Sequence, residues 1–351
     1  MTNVQCSLYI TILKTMHLLG KFIVQEFILH LLVINLKKIS NIYNVCLATQ
    51  SSLERLYSLV EVTDHWKASV SVSVFIGGSD FPLLKSYISY LRHCFPRIRD
   101  YVTFHLAFSP DHPPIEDDFT FILNQNCANL KKCSKNWCNT ELKRLRNGKR
   151  KFYIDIIPSY GITERLDEFL ETVQCEKLCA YVIPVYEIDD KVIFPEDKSM
   201  LVNYTKHGLA RPFHDKIYKL AQASTDYKRW EENDDHENDF IYVSHTAKYK
   251  DTYEPFFVVL DTAPLYDERF IGYGCTRNTQ AYEMNAAGYE FQVLSPVFAC
   301  HWHFQTLKED YYPWRNKQLR VNYKKVSQFK SEIKARYPTE KNKETKPKEE
   351  K

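Results

Sequence analysis

Several side chains in this sequence have the types and spacing that chemistry needs. In "KFYIDIIPSYG", Lys151 to Gly161, one carboxylate, Asp155, interrupts a run of apolar residues that ends in Pro158, Ser159 and Gly161. A charge in a buried strand is costly unless another group pairs with it or a ligand binds it. In "VFACHWHF", His301 and His303 are two apart, so on a strand both would share a face. Imidazole there is either a metal-binding nitrogen or an ordinary strand histidine. "YDERFIGYG" sets Asp267 and Glu268 before Gly272 and Gly274. Such carboxylates either take a proton from a reacting hydroxyl, or pair with Arg269 and cap a turn. "RPFHDK" puts Arg211 beside His214. Arg211 is either a bidentate partner for a phosphate or carboxylate, or one half of a structural salt bridge. Trp230 and Trp302 either stack on a ligand or pack in the core.

The elements that must hold these groups follow from periodicity. "NVCLATQ" (44–50) predicts a first strand, and Ser51 with Glu54 forms a capping-box pattern opening a helix over "SLERLYSLVEV". "SVSVSVFI" (69–76) alternates as a strand does. "FPLLKSYISYLRHCF" puts Leu83, Leu84, Tyr87, Ile88 and Leu91 on one helical face, and "YVTFHLAF" (101–108) is a further strand. After the Asp155 strand come a helix capped by Thr163, a strand over 179–188, a mixed stretch over 189–240, and a strand over 254–260. A helix stopped by Gly288, the strand "EFQVLS" and the amphipathic helix "YKKVSQFKSEIKARY" complete the folded chain. Strands alternating with helices predict an α/β fold with a mostly parallel sheet and helices on its faces, where ligands bind beyond the carboxyl ends of the strands.

Composition sets outer limits. The 351 residues are 44% hydrophobic, enough for a large core. Lys plus Arg number 47 against 44 Asp plus Glu, a net charge of +3 that gives no electrostatic case for nucleic acid. The ten cysteines include no CxxC pair, and Cys127, Cys133 and Cys138 have poor zinc spacing, so disulfides are favoured over a metal cluster. Cys175 and Cys179 stand four apart, but spacing assigns no pairing. "FIVQEFILHLLVINL" (22–36) is short for a membrane span, which needs about 20 apolar residues, and fits either a signal anchor or an amphipathic surface helix. Asn203-Tyr204-Thr205 is a glycosylation sequon suited to a lumenal protein. The expected organisation is an anchor or stem over 1–40, a folded domain over 41–338, and a disordered Lys/Glu-rich tail over 339–351.

"CLATQSSLERL", "HWKASVSVSVF", "RPFHDKIYKLAQASTDYKRW", "YEPFFVV", "YDERFIGYG", "YEFQVLSPVFACHWHF" and "QFKSEIKARYP" occur in that order. They resemble the LARGE-type and β-1,4-glucuronyltransferase family, glycosyltransferase family 49, across residues 44–338 except around 119–150. The resemblance implies a GT-A fold and a single-pass type II protein of the Golgi membrane, anchored by the N-terminal segment. It implies inverting transfer from a UDP-sugar, UDP-glucuronic acid foremost, to a glycan acceptor on protein such as xylose, with Mn²⁺ or Mg²⁺ as cofactor and a partner glycosyltransferase. It also implies residue roles. Asp155 and His301 would hold the metal, and Asp267 or Glu268 would be the base. Ala48, Thr49, Gln50, Tyr153 and Arg211 would meet the donor, and Gly272, Gly274 and Glu283 the acceptor. Glu283 has helix structure as its other reading.

The chain departs from the family pattern at two places. Tyr153 stands where the first residue of an Asp-x-Asp is expected, and a phenol with a pKa of about 10 is a poor ligand for such cations. "FILNQNCANLKKCSKNWC" lacks the arginine that the family carries before this strand. The alternatives are an N-acetylglucosaminyltransferase, or an inactive glycan-binding or partner protein of the same fold.

Overall fold

In this computed structural model the described residues are 23–26, 43, 45–115, 156–233, 240–270, 272–307 and 313–338. The stretches 119–150 and 151–155, and with them Tyr153 and Asp155, lie outside the described residues, as does the tail from 339.

The fold is α/β, with twelve described strands in three four-stranded sheets. The first sheet joins β2 (Leu47–Ser52), β3 (Val70–Phe75) and β4 (Val102–Phe108) in parallel, and β1 (Ile23–Glu26) lies antiparallel on the β4 edge. Alternation makes β3 what it is. Val70, Val72 and Val74 are buried while the serines between them are not, and each buried valine contributes about 1.5–3 kcal/mol. Helix α1 (Leu59–Trp66), α2 (Phe81–Cys94) and α3 (Pro96–Tyr101) accompany this sheet. On α2 the predicted face is the buried one, with Leu84, Ile88 and Leu91 fully enclosed. Four residues of the apolar run 22–36 form the edge strand β1, and no helix among the described residues is long and apolar enough to cross a membrane.

The other two sheets share a bent strand pair. β6 (Leu178–Val182) runs parallel to β11 (Tyr289–Ser295), between β10 (Phe257–Val258) and β9 (Tyr242–Thr246). β7 (Val185–Ile188) runs parallel to β12 (Ala299–Trp302), between β8 (Ala210–Pro212) and β5 (Ile157–Pro158). The chain passes from β6 to β7 through Ile183 and Pro184, and from β11 to β12 through Pro296. Proline donates no ladder hydrogen bond, so both strands break where their prolines stand. The single strand expected over 179–188 is therefore two, and the strand expected over 254–260 shrinks to β10.

Two helix starts differ from expectation. Ser51 remains in the β2 ladder opposite Val74, and its hydroxyl donates to the Ser52 carbonyl. The capping box therefore does not form, and a 3-10 turn over Leu53–Ser58 leads into α1. Helix α4 (Ile162–Thr172) begins after Gly161, whose φ of 63° takes the cap position. Thr163 is inside the helix and buried, and its hydroxyl donates to the Trp66 carbonyl. That bond, with the 2.8 Å contact between His65 Nδ1 and the Pro158 carbonyl, ties α1 to β5 and α4.

Helices α5 (Lys198–Lys206) and α6 (Tyr227–Glu232) lie in the stretch expected to be mixed. Helix α7 (Arg277–Ala286) ends before Gly288, and α8 (Pro313–Arg336) starts well before the predicted amphipathic segment. Cys175 and Cys179 are joined by a disulfide.

Candidate functional site

The third sheet sets three polar side chains in one row. His301 of β12 is opposite Glu187 of β7, which is opposite Arg211 of β8. Residues directly opposite in register share a face, so all three project to the same side. Glu187 is fully buried, and its carboxylate is well supplied with donors. Arg211 Nε donates to Oε2 at 2.7 Å, the His214 N–H to Oε1 at 3.0 Å, and the Gln305 N–H to Oε2 at 3.2 Å. A buried carboxylate persists only when paired and hydrogen-bonded, and Glu187 is both. Arg211 also donates to the Gln305 carbonyl at 2.6 Å and lies 4.5 Å over the Phe304 ring. Of its two readings, donor contact and salt bridge, the structure gives the salt bridge.

His301 is nearly buried. Its Nδ1–H donates to the His303 carbonyl at 2.8 Å, which leaves the Nε2 lone pair, 3.5 Å from Gln305 Nε2. Carbonyl anchoring of one ring nitrogen is the arrangement that orients a metal-binding histidine. Among the described residues no group of three His, Cys, Asp or Glu is placed to hold a metal ion. Ile157, two positions after Asp155 in the chain, is paired with Cys300, the residue before His301.

His214 follows β8 with φ 63°, a left-handed conformation uncommon outside glycine. Its ring stacks on Phe213 with centroids 4.0 Å apart, and its Nδ1 is buried with no hydrogen-bond partner. Burial pushes the imidazole down to about 3, and the charges of Arg277 and Arg315 act in the same direction. Arg277, at the start of α7, donates to Glu254 at 3.3 Å and lies 4.4 Å over Phe256, whose ring meets Phe213 at 5.6 Å. Arg315 of α8 lies 4.8 Å over Tyr273.

The carboxylates of "YDERFIGYG" are placed elsewhere. Asp267 Oδ1 accepts from the Arg269 N–H at 3.0 Å and from Arg269 Nε at 2.8 Å, so it caps its own turn. Arg269 in turn pairs with Glu332. Glu332 is 17 residues beyond Arg315 on α8, about 25 Å at 1.5 Å per residue. Glu268 keeps one buried oxygen without a partner, and desolvation and then Asp267 raise its carboxyl. No hydrogen bond or ion pair among the described residues joins Asp267 or Glu268 to the His301 row.

The residues expected at the acceptor make close contacts with α8. Gly272 and Gly274 have φ of 79° and 87°, and a Cβ on either would strike Gln318 or Leu319 of α8. The glycines admit the close approach of α8. Gln318 Oε1 accepts from the Tyr273 N–H at 2.7 Å, and Asn322 donates to the carbonyls of Tyr273 and Gly274. Glu283 is buried and accepts from Arg336 and from the Tyr337 hydroxyl, which clamps α7 to the end of α8. Ala48, Thr49 and Gln50 lie on β2, the edge of the first sheet, with Gln50 exposed. Trp230 is a core residue, fully buried, with its Nε1–H on the Leu294 carbonyl.

Sequence reasoning passed over Glu187, Glu254, Arg277, Gln305 and Arg315. Only Glu187 carried a local signal, a carboxylate within the apolar "VIPVYEI". The rest converge through contacts between distant segments.

The family described as "Glycosyl-transferase for dystroglycan" matches residues 44–153 and 152–338. The chain is similar to beta-1,4-glucuronyltransferase 1 of Danio rerio, 29% identical over 325 residues, covering 85% of this chain and 75% of the relative. The human protein of that name is 29% identical over 320 residues, covering 84% and 76%. The xylosyl- and glucuronyltransferase LARGE2 of Mus musculus is 24% identical over 262 residues, covering 74% of this chain and 34% of its own length. With both segments of the folded chain matched, the protein belongs to this glycosyltransferase family.

Proposed function

We propose that the chain is a glucuronyltransferase that moves glucuronic acid from UDP-glucuronic acid to a glycan acceptor such as xylose, with inversion and with Mn²⁺ or Mg²⁺. The similarity to beta-1,4-glucuronyltransferase 1 over more than four-fifths of the chain supports the donor. The observation that carries the reading is His301. Its Nδ1–H is spent on a carbonyl, its Nε2 lone pair is kept, and its strand pairs with the strand entered just after Asp155. In this reading His301 and Asp155 hold the cation. When bound, that ion neutralises the charge developing on the diphosphate leaving group. Glu187 fixes the turn that holds His301 in place, by gripping Gln305 beyond it. A Golgi lumenal setting is part of the reading, and the Cys175–Cys179 disulfide supports it because disulfides persist in oxidising compartments.

The test is titration calorimetry of the purified protein with UDP-glucuronic acid, with and without Mn²⁺, followed by transfer to a xyloside. Metal-dependent binding that disappears in Asp155→Ala is expected. No binding of any UDP-sugar at millimolar concentration would sink the reading. Binding without transfer, repaired by Tyr153→Asp, would favour the partner-protein alternative, for which Tyr153 in place of an aspartate is the specific ground.

A further inference from the structure

The proposed reaction makes no use of the sequon Asn203-Tyr204-Thr205, and the fold sets its three residues in three different environments. The sequon lies in the last turns of α5, where Lys198, Leu201 and Tyr204, three apart, form the buried face. Tyr204 is anchored there, with its hydroxyl donating to the Ile193 carbonyl at 3.4 Å. Thr205 is half-buried, and its hydroxyl donates to the Val202 carbonyl at 2.8 Å. Asn203 is exposed, and among the described residues its side-chain amide makes no hydrogen bond. Asparagine is a poor helix residue because its amide competes for nearby backbone groups. The Asn203 amide neither caps, pairs nor packs, so the needs of α5 do not account for it.

The backbone beneath Asn203 is pinned. Gly208, at φ 71°, ends the helix in the left-handed region. Its N–H donates to the Thr205 carbonyl at 3.1 Å, and the Leu209 N–H donates to the Tyr204 carbonyl at 2.9 Å. Those two bonds make the Schellman closure of a helix end. The Asn203 carbonyl accepts from the His207 N–H at 3.2 Å and from His207 Nδ1 at 2.8 Å. A Cβ added to Gly208 would meet no heavy atom within 4 Å, and Lys206 and His207 are exposed, so the surface here is open. Tyr204 and Thr205 thus hold the helix end, while Asn203 stands out from it. A bulky hydrophilic group attached at Asn203 would displace no packed side chain.

We propose that Asn203 carries an N-linked oligosaccharide. The step joins Asn203 Nδ2 to the anomeric carbon of a sugar supplied by a lipid pyrophosphate-linked oligosaccharide. Nδ2 gives up a proton to solvent and the N–C bond forms. The C–O bond to the pyrophosphate breaks, and the lipid pyrophosphate leaves with that electron pair. In the folded helix the Thr205 hydroxyl is committed to the Val202 carbonyl, so a transferase can engage the sequon only before α5 closes. The modification therefore belongs to the nascent chain, and the fold leaves its product room. The assignment rests on the lumenal setting within the proposed function. The Cys175–Cys179 disulfide is a separate mark of such a compartment.

This sequence holds no second N-x-Ser/Thr, so one site gives one readout. The full chain, tagged, is produced in cultured animal cells and digested with peptide N-glycosidase, which leaves aspartate where a glycosylated asparagine stood. The parent should gain mobility on digestion, and peptide mass spectrometry should find the conversion at position 203. Asn203→Gln and Thr205→Ala should lose the shift completely, and Thr205→Ser should keep it. Glutamine is the better helix former, so Asn203→Gln should fold as the parent does. Protease protection in sealed microsomes reports the compartment independently. A protected parent chain with no digestion shift would overturn the assignment, and so would a shift that persists in Asn203→Gln. A chain that is neither protected nor glycosylated brings down the lumenal reading. A cleavable signal peptide placed before the full chain then delivers it to the lumen, where glycosylation at Asn203 upholds the site and its absence overturns it.

Discussion

Replacing Glu187 by alanine tests the physical argument most directly. The side chain is fully buried and accepts from Arg211 Nε, the His214 N–H and the Gln305 N–H. Its removal leaves a largely buried guanidinium without its counter-charge. Breaking one side of a buried pair costs about 3–5 kcal/mol. Two backbone donors also lose their acceptor, at about 1–3 kcal/mol each where water cannot reach them. These effects overlap, so a total near 4 kcal/mol is expected, a large part of the roughly 5–15 kcal/mol that holds a native protein together. At about 2–4 °C per kcal/mol for chains of this general size, the melting temperature should fall by about 10 °C. Hydrogen exchange then supplies the local readout. The amides of His214 and Gln305 should lose protection in Glu187→Ala before the β11 amides do, because both depend on this one carboxylate. Glu187→Gln keeps the shape and one acceptor, so it should fall between parent and alanine. A melting shift under 2 °C in Glu187→Ala, with both amides still protected, would show that Glu187 is not the group holding these turns.

Two further outcomes follow from the same contacts. His214 has a native pKa of about 3, whereas an unfolded histidine has about 6.5. The unfolded chain therefore takes the proton first as pH falls, and stability present above pH 6.5 is lost toward pH 3. Between pH 7 and 5 the loss is about 2 kcal/mol, and denaturant titrations of parent and His214→Asn should differ in pH slope by that amount. Equal slopes would refute it. Gly272→Ala puts a methyl group into Gln318 on a backbone at φ 79°, and Gln318 then loses its hold on the Tyr273 N–H. A loss of about 1–3 kcal/mol is expected, read as a lowered melting temperature. A melting temperature no lower than the parent's would show that α8 does not need this glycine.

What the sequence disclosed depended on range. Alternation made β3 legible because Val70, Val72 and Val74 need only a sheet with one buried face. The 3.6-residue period made α2 legible for the same reason. Asp267 meets a short-range partner, Arg269, two residues away, the alternative given for it beside the role of base. Glu283 meets a long-range partner, since Arg336 lies 53 positions on and nothing local announces it. Gly272 and Gly274 admit the close approach of α8, which nothing in their local sequence discloses.

Glu187 and Asp155 make the general point sharper. Both are single carboxylates in apolar strand sequence, and the desolvation argument applied to Asp155 applies equally to Glu187. That argument establishes only that something must meet the charge. For Glu187 the answer is internal: an arginine on the next strand and two backbone N–H groups donate to the carboxylate. Arg211 is thereby held in an ion pair, while the neighbouring His214, whose backbone the same carboxylate holds, keeps a buried Nδ1 without a partner. A buried charge that is fully satisfied thus serves the site indirectly. It fixes in place a neighbour that is not satisfied.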